Sequence, residues 1–201
     1  MKNYLILPAL ILSVSIGYSQ KNKNAYELAS PNGQNKIKFE LVKNAPKYAV
    51  SHGKTEVITP SDMGFLLKGN ENLSSDFEIK NVKNTSFDET WEQVWGEKKN
   101  IRNHYNQLSV ELQQKSGNKR KLEIQFRAFD DGIAFRYVYP KQNVKDSIFI
   151  MDEKTTFNLK EDGKAWWIPA NRENRDEYLF KDAPVSTLDT VLTPLTIESK
   201  S

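Results

Sequence analysis

Two stretches of this sequence concentrate side chains that could do chemistry. Phe87 to Asn106 holds Trp91, Trp95, His104 and Tyr105 among the acids Asp88, Glu89, Glu92 and Glu97. Aromatic faces stack on the C–H faces of sugars, while nearby carboxylates and amides hold hydroxyls in place. The candidates for such contacts are Trp95, Glu97, Arg102, Asn103 and His104, with Trp167 from the second stretch. The same composition also suits a long structured loop packed against a neighbouring domain, because aromatics dominate interfaces too. The second stretch, Ala165 to Tyr178, runs Trp166-Trp167-Ile168-Pro169 and then into a charged loop. Its carboxylates, Glu173, Asp176 and Glu177, are oxygen donors of the kind that a hard cation such as calcium takes. Arg172 and Arg175 stand between them and could equally neutralise them on a solvated surface.

Other chemistry has little support. The chain lacks a Walker loop, a dinucleotide fingerprint, a Gly-x-Ser-x-Gly elbow and a His-Glu-x-x-His pair. Its 2 histidines, His52 and His104, are too far apart in sequence to indicate a transition-metal site. His52 sits in Ser51-His52-Gly53-Lys54 and reads as a turn residue. With 29 basic against 26 acidic residues, the net charge of +3 is no nucleic-acid footprint.

The elements that must position these residues read as strands. Lys36 to Leu41, Phe77 to Lys80, Leu108 to Leu112 and Lys121 to Arg127 alternate polar and apolar side chains. That is the period of a half-buried strand. Ile133 to Tyr139 follows, with Phe129-Asp130-Asp131-Gly132 as the hairpin signal between them. Pro31-Asn32-Gly33 and Glu161-Asp162-Gly163 mark further turns. No segment sustains helical periodicity, so the fold class is all-β, a large sandwich. Ala165 to Ile168 reads as a strand ending at Pro169. Thr193 to Glu198 begins like a strand that lacks a later partner, so a truncated domain is expected.

The first residues read as an export signal. Lys2 precedes a nearly continuous apolar run from Tyr4 to Ile16, and Gly17 and Ser19 are small residues at signal-peptidase spacing. The division expected is a signal peptide over 1–19, cleaved before Gln20, and one domain over 20–201. The apolar run is shorter than the roughly 20 residues of a membrane-spanning helix. With 0 cysteines the chain carries neither disulfides nor the lipid-anchored cysteine of a lipoprotein. The expectation is a soluble periplasmic or secreted protein held together by its core.

Several motifs in order carry a family resemblance. Asp88-Glu89-Thr90-Trp91, Val94-Trp95-Gly96-Glu97 and Ile101 to Asn106 resemble the signature run of the N-terminal domain of glycoside hydrolase family 97. Phe126 to Tyr137, Trp167-Ile168-Pro169 with Glu177-Tyr178, and Ser30 to Gly33 are similar to further motifs of that domain. The resemblance spans Ala25 to Ser201. It implies a galactose-mutarotase-like β-super-sandwich that precedes a catalytic (β/α)8 barrel in an exported α-glucosidase or α-galactosidase. The catalytic carboxylates, glucoside or galactoside preference, and retention or inversion then belong to the barrel, and this segment alone is expected to be inactive. The implied partners are that barrel and an α-linked oligosaccharide. The implied cofactor is calcium in the complete enzyme, with Glu177 as the ligand from this domain. The loop after Pro169 is one residue longer here than the usual pattern, which leaves Asp176 or Glu173 as alternatives. Beside this stand two readings from composition alone: an independent carbohydrate-binding module and a purely structural sandwich.

Overall fold

The computed structural model describes residues 24–69, 71–142, 148–170 and 178–199. Alternation of buried and exposed positions builds the first sheet. It runs β1 (Ala25–Ala29), β2 (Asn35–Val42), β3 (Ala45–His52), β4 (Thr55–Asp62), in that spatial order and antiparallel throughout. In β2 every second residue, Asn35, Ile37, Phe39 and Leu41, is buried. Two short strands follow, β5 (Phe65–Leu67) and β6 (Glu71–Leu73). The long meander β7 (Phe77–Glu92), β8 (Asn100–Gln114), β9 (Lys121–Phe129), β10 (Gly132–Val138) forms the second four-stranded sheet. β11 (Ile150–Glu153) returns to pair with β5. The chain then forms a three-stranded sheet from β12 (Lys164–Trp167), β13 (Lys181–Pro184) and β14 (Thr196–Glu198).

The two larger sheets face each other across one apolar core. Ile37 and Phe39 of β2 meet Leu108 and Val110 of β8 and Leu122, Ile124 and Phe126 of β9, all essentially inaccessible to solvent. The rings of Phe39 and Phe126 lie 5.8 Å apart across the layer. Met63, Phe65, Leu67, Leu73 and Phe77 close the same core from the side. Each fully buried large side chain contributes roughly 1.5–3 kcal/mol by leaving water, and with 0 cysteines there is no covalent staple to add to it. The expected all-β sandwich is therefore what forms, and the described residues contain no α-helix, only a 3-10 turn at Val185–Thr187. No helix among the described residues is long and apolar enough to cross a membrane.

The β9–β10 hairpin closes at Phe129-Asp130-Asp131-Gly132 as expected, with Phe129 paired to Gly132 and Asp130-Asp131 as the two central residues. Two other expectations change in detail. Thr196–Glu198 does have a partner: it pairs antiparallel with β12, Lys164 opposite Glu198. The partner precedes it in the chain, which periodicity alone does not reveal. The stretch from Phe87 to Asn106 is two paired strand segments, residues 87–92 opposite 100–105, joined by a turn over residues 93–99, rather than one long structured loop. The export signal over 1–19 lies outside the described residues.

Candidate functional site

The Trp-rich stretch forms a two-stranded ribbon that projects from the second sheet. β9 pairs with β8 only from Tyr105 to Gln113, whereas β7 and β8 stay paired outward to Glu92 opposite Asn100. The five pairs from Asp88↔His104 to Glu92↔Asn100 carry the ribbon about 17 Å beyond β9, at about 3.4 Å per residue. A turn over residues 93–99 closes it, with the Gln93 amide N–H donating to the Lys99 carbonyl at 3.0 Å.

Directly opposed residues share a face of an antiparallel pair, so the register sorts the ribbon into two faces. One carries Phe87 and Tyr105, Glu89 and Asn103, Trp91 and Ile101. The other carries Asp88 and His104, Thr90 and Arg102, Glu92 and Asn100. On this second face charge is matched internally. The Arg102 guanidinium donates through Nε to Asp88 Oδ1 at 2.9 Å and through Nη2 to Asp88 Oδ2 at 2.7 Å. His104 Nε2 stands 4.0 Å from the same carboxylate, and Lys99 pairs with Glu92 at 3.3 Å. The hydrogen bonds from Arg102 hold the Asp88 carboxyl below its ordinary range, and the pairing raises Arg102. The first face is apolar at its root: the Phe87 ring stacks on Tyr105 at 5.4 Å, and Tyr105 lies 5.1 Å from Phe129. Arg127 covers Tyr105 at 4.3 Å and donates to Gln107 Oε1 at 2.8 Å.

Of the residues singled out in the sequence, Arg102, Asn103 and His104 come together on β8 of this ribbon. Trp95 and Glu97 lie in its exposed turn, Trp95 at 89% exposure. Trp167 belongs to a different sheet, opposite Lys181, whose ammonium lies 5.5 Å from the indole ring. The Trp167 indole N–H is buried with no hydrogen-bond partner among the described residues. Glu173, Asp176 and Glu177 lie outside the described residues. Among the described residues no three His, Asp or Glu side chains gather into a metal-binding cluster. His52 is hydrogen-bonded through Nδ1 to Asn35 Oδ1 at 2.7 Å, at the end of a hairpin, in keeping with its reading as a turn residue.

The role of Asp88 was not singled out from sequence. A signal existed: aspartate and arginine fall at positions that a hairpin closing near Gly96 would bring to one face. A glycosidase needs two carboxylates flanking the scissile bond. An open cleft of about 780 Å³ beside the start of β7 is lined by one carboxylate, Glu78, and that group is held by Lys80 at 2.6 Å.

Comparison with known proteins bears on the rest. Residues 28–201 match the family described as glycosyl-hydrolase 97 N-terminal. The chain belongs to this family. Its fold superposes on a glycoside hydrolase family 97 enzyme from Pseudoalteromonas sp. strain K8, solved with panose and with acarbose. The TM-score is 0.83 at 32% identity, over 87% of this chain and 27% of that one. A retaining alpha-galactosidase from Bacteroides thetaiotaomicron is 26% identical over 66% of this chain and 19% of its own length. A probable retaining alpha-galactosidase from Streptomyces bingchenggensis is 26% identical over 78% of this chain and 23% of its own. This family 97 N-terminal domain thus spans about a fifth to a quarter of the longer enzymes it matches.

Proposed function

We propose that this domain is the accessory sandwich of an exported α-glycosidase, of α-glucosidase or α-galactosidase type. It packs on a catalytic barrel that acts on α-linked oligosaccharides, and it is inactive alone. The observation that carries this reading is the match over residues 28–201 to an N-terminal domain family whose relatives are several times longer enzymes. The test is hydrolysis of α-glucosides and α-galactosides by the gene's full-length product beside this segment. Turnover by the segment alone would reject the accessory role.

In the same reading Glu177 binds an active-site calcium, with Asp176 and Glu173 as the other carboxylates of its loop. Their hard oxygen donors fit that cation. When bound, calcium supplies positive charge that favours ionised carboxylates and orients sugar hydroxyls. Replacing Glu177 by Ala is expected to weaken calcium binding about tenfold or more in calorimetric titration of the full-length product, in line with losing one ligand. Unchanged affinity would reassign the ligand to Asp176 or Glu173. Export predicts a mature N-terminus at Gln20, which intact-mass measurement of the secreted protein checks.

Direct sugar contact is the second reading, and the 89% exposure of Trp95 favours it. Quenching of tryptophan fluorescence by α-linked oligosaccharides, abolished in Trp95→Ala, would support a binding module. Its absence supports packing.

A further inference from the structure

The two faces of the β7–β8 ribbon are unequally satisfied. On the Asp88 face each acid has a cation: Arg102 serves Asp88 and Lys99 serves Glu92. On the Phe87 face, Phe87 is 39% and Trp91 48% exposed, with Ile101 beside them. Glu89 stands between them, opposite Asn103, and forms no ion pair among the described residues. Val94 is 98% exposed at the turn that closes the ribbon. A soluble protein does not commonly hold aromatic rings open on a projecting, regularly paired arm. The root of this face is continuous with the packed rings of Tyr105 and Phe129, on the side of the β7–β10 sheet that faces away from the core.

We propose that the Phe87–Glu89–Trp91–Ile101 face of the ribbon is a docking surface for the polypeptide that follows this domain. The surface it meets is apolar and presents a cation to Glu89. This rests on reading the domain as part of a longer glycosidase, and it names which surface makes the contact and with what chemistry. The length of chain beyond this domain is the argument for that occupant, since the Pseudoalteromonas enzyme devotes only 27% of its length to the matched region. Charge is the second argument. Glu89 is exposed between Phe87 and Trp91 and would lose water on docking, so a surface that covers this face must present a cation to avoid burying an unpaired charge. The opposite face already has its acids paired with Arg102 and Lys99 and so has no carboxylate that calls for a partner's cation.

Hydrogen exchange tests this on the gene's full-length product beside the present segment. Amides of residues 86–92 and 101–105 are expected to exchange about tenfold more slowly in the longer product. Glu89→Lys and Trp91→Ser each remove most of that protection. Glu92→Lys, on the other face, leaves it. Both affected side chains are exposed, so the segment's own melting temperature should not change with either variant. Equal exchange in the two proteins, with glycosidase activity present, overturns the docking face and leaves the accessory-domain reading intact. Protection without glycosidase activity sinks the enzymatic reading and leaves the docking face standing. Protection that appears in the segment alone, on raising its concentration or on adding maltotriose, makes a second copy or sugar the occupant and overturns the proposal.

Discussion

Asp88 illustrates how register converts sequence into electrostatics. It lies fourteen positions before Arg102 in the chain, yet pairing of β7 with β8 brings the two within 2.7 Å. Because the hydrogen bonds favour the ionised form, the folded-state pKa is depressed. The pair's contribution is therefore present above the ordinary value of 3.8 and is lost as pH falls through the lowered one. Carboxyl NMR titration is expected to place the Asp88 midpoint below 3.8 and to return it there in Arg102→Ala. Asp162 follows the same rule through Ser186, which donates from its amide at 2.9 Å and its hydroxyl at 2.7 Å. Gly64 makes a steric case. Its φ is +119°, and a Cβ there would stand 2.5 Å from the Leu73 carbonyl oxygen on β6. Gly64→Ala should cost about 1–3 kcal/mol from backbone strain alone, read as a lowered denaturant midpoint.

At the scale of elements, turn chemistry sets how the hairpins close. The β2–β3 hairpin turns through Lys43 and Asn44, with φ of 51° and 65°. Positive φ at both central positions is the type I′ pattern that matches strand twist, and it normally calls for Asn-Gly. Lysine is a poor signal for it, so this turn escapes a sequence reading. Asn44 also has other duties: its carbonyl accepts from the Phe77 amide at 2.9 Å and its side chain from Lys115 at 2.8 Å. Lys43→Asn should stabilise the domain by about 0.5 kcal/mol, since asparagine tolerates the left-handed region better. A lower urea midpoint would contradict this. The ribbon is the opposite case, strongly regular in structure and poorly legible in sequence. Its strands do not alternate apolar with polar because, past β9, neither face packs on the core. The physical basis of the alternation signal is one-sided burial, and it disappears where burial does.

For the molecule as a whole, one continuous core joins the two large sheets and the short β5–β6 hairpin. Phe126 is central to it, inaccessible to solvent, 5.8 Å from Phe39 and 6.1 Å from Phe135. Phe126→Ala should destabilise by about 3–5 kcal/mol through lost transfer energy and an unfilled cavity. Calorimetric unfolding checks this, and a cost below about 1 kcal/mol would mean the layers can collapse onto the gap. No disulfide buffers such a loss, as the chain has 0 cysteines.

The all-β class and the core strands were legible in the residues themselves. Ile37, Phe39, Leu108, Val110, Leu122, Ile124 and Phe126 alternate with polar neighbours, and one-sided burial is a local property of a strand. Family membership was legible as well: the resemblance read from Ala25 to Ser201 agrees with the family match over residues 28–201. The pairing of β14 with β12 and the anchoring of His52 to Asn35 were not. Nor was the split of the Trp-rich stretch into one self-neutralised face and one open apolar face. Those depend on which strands lie side by side. Periodicity tells a residue which way it points along its own strand, and only the folded sheet supplies the neighbour across from it.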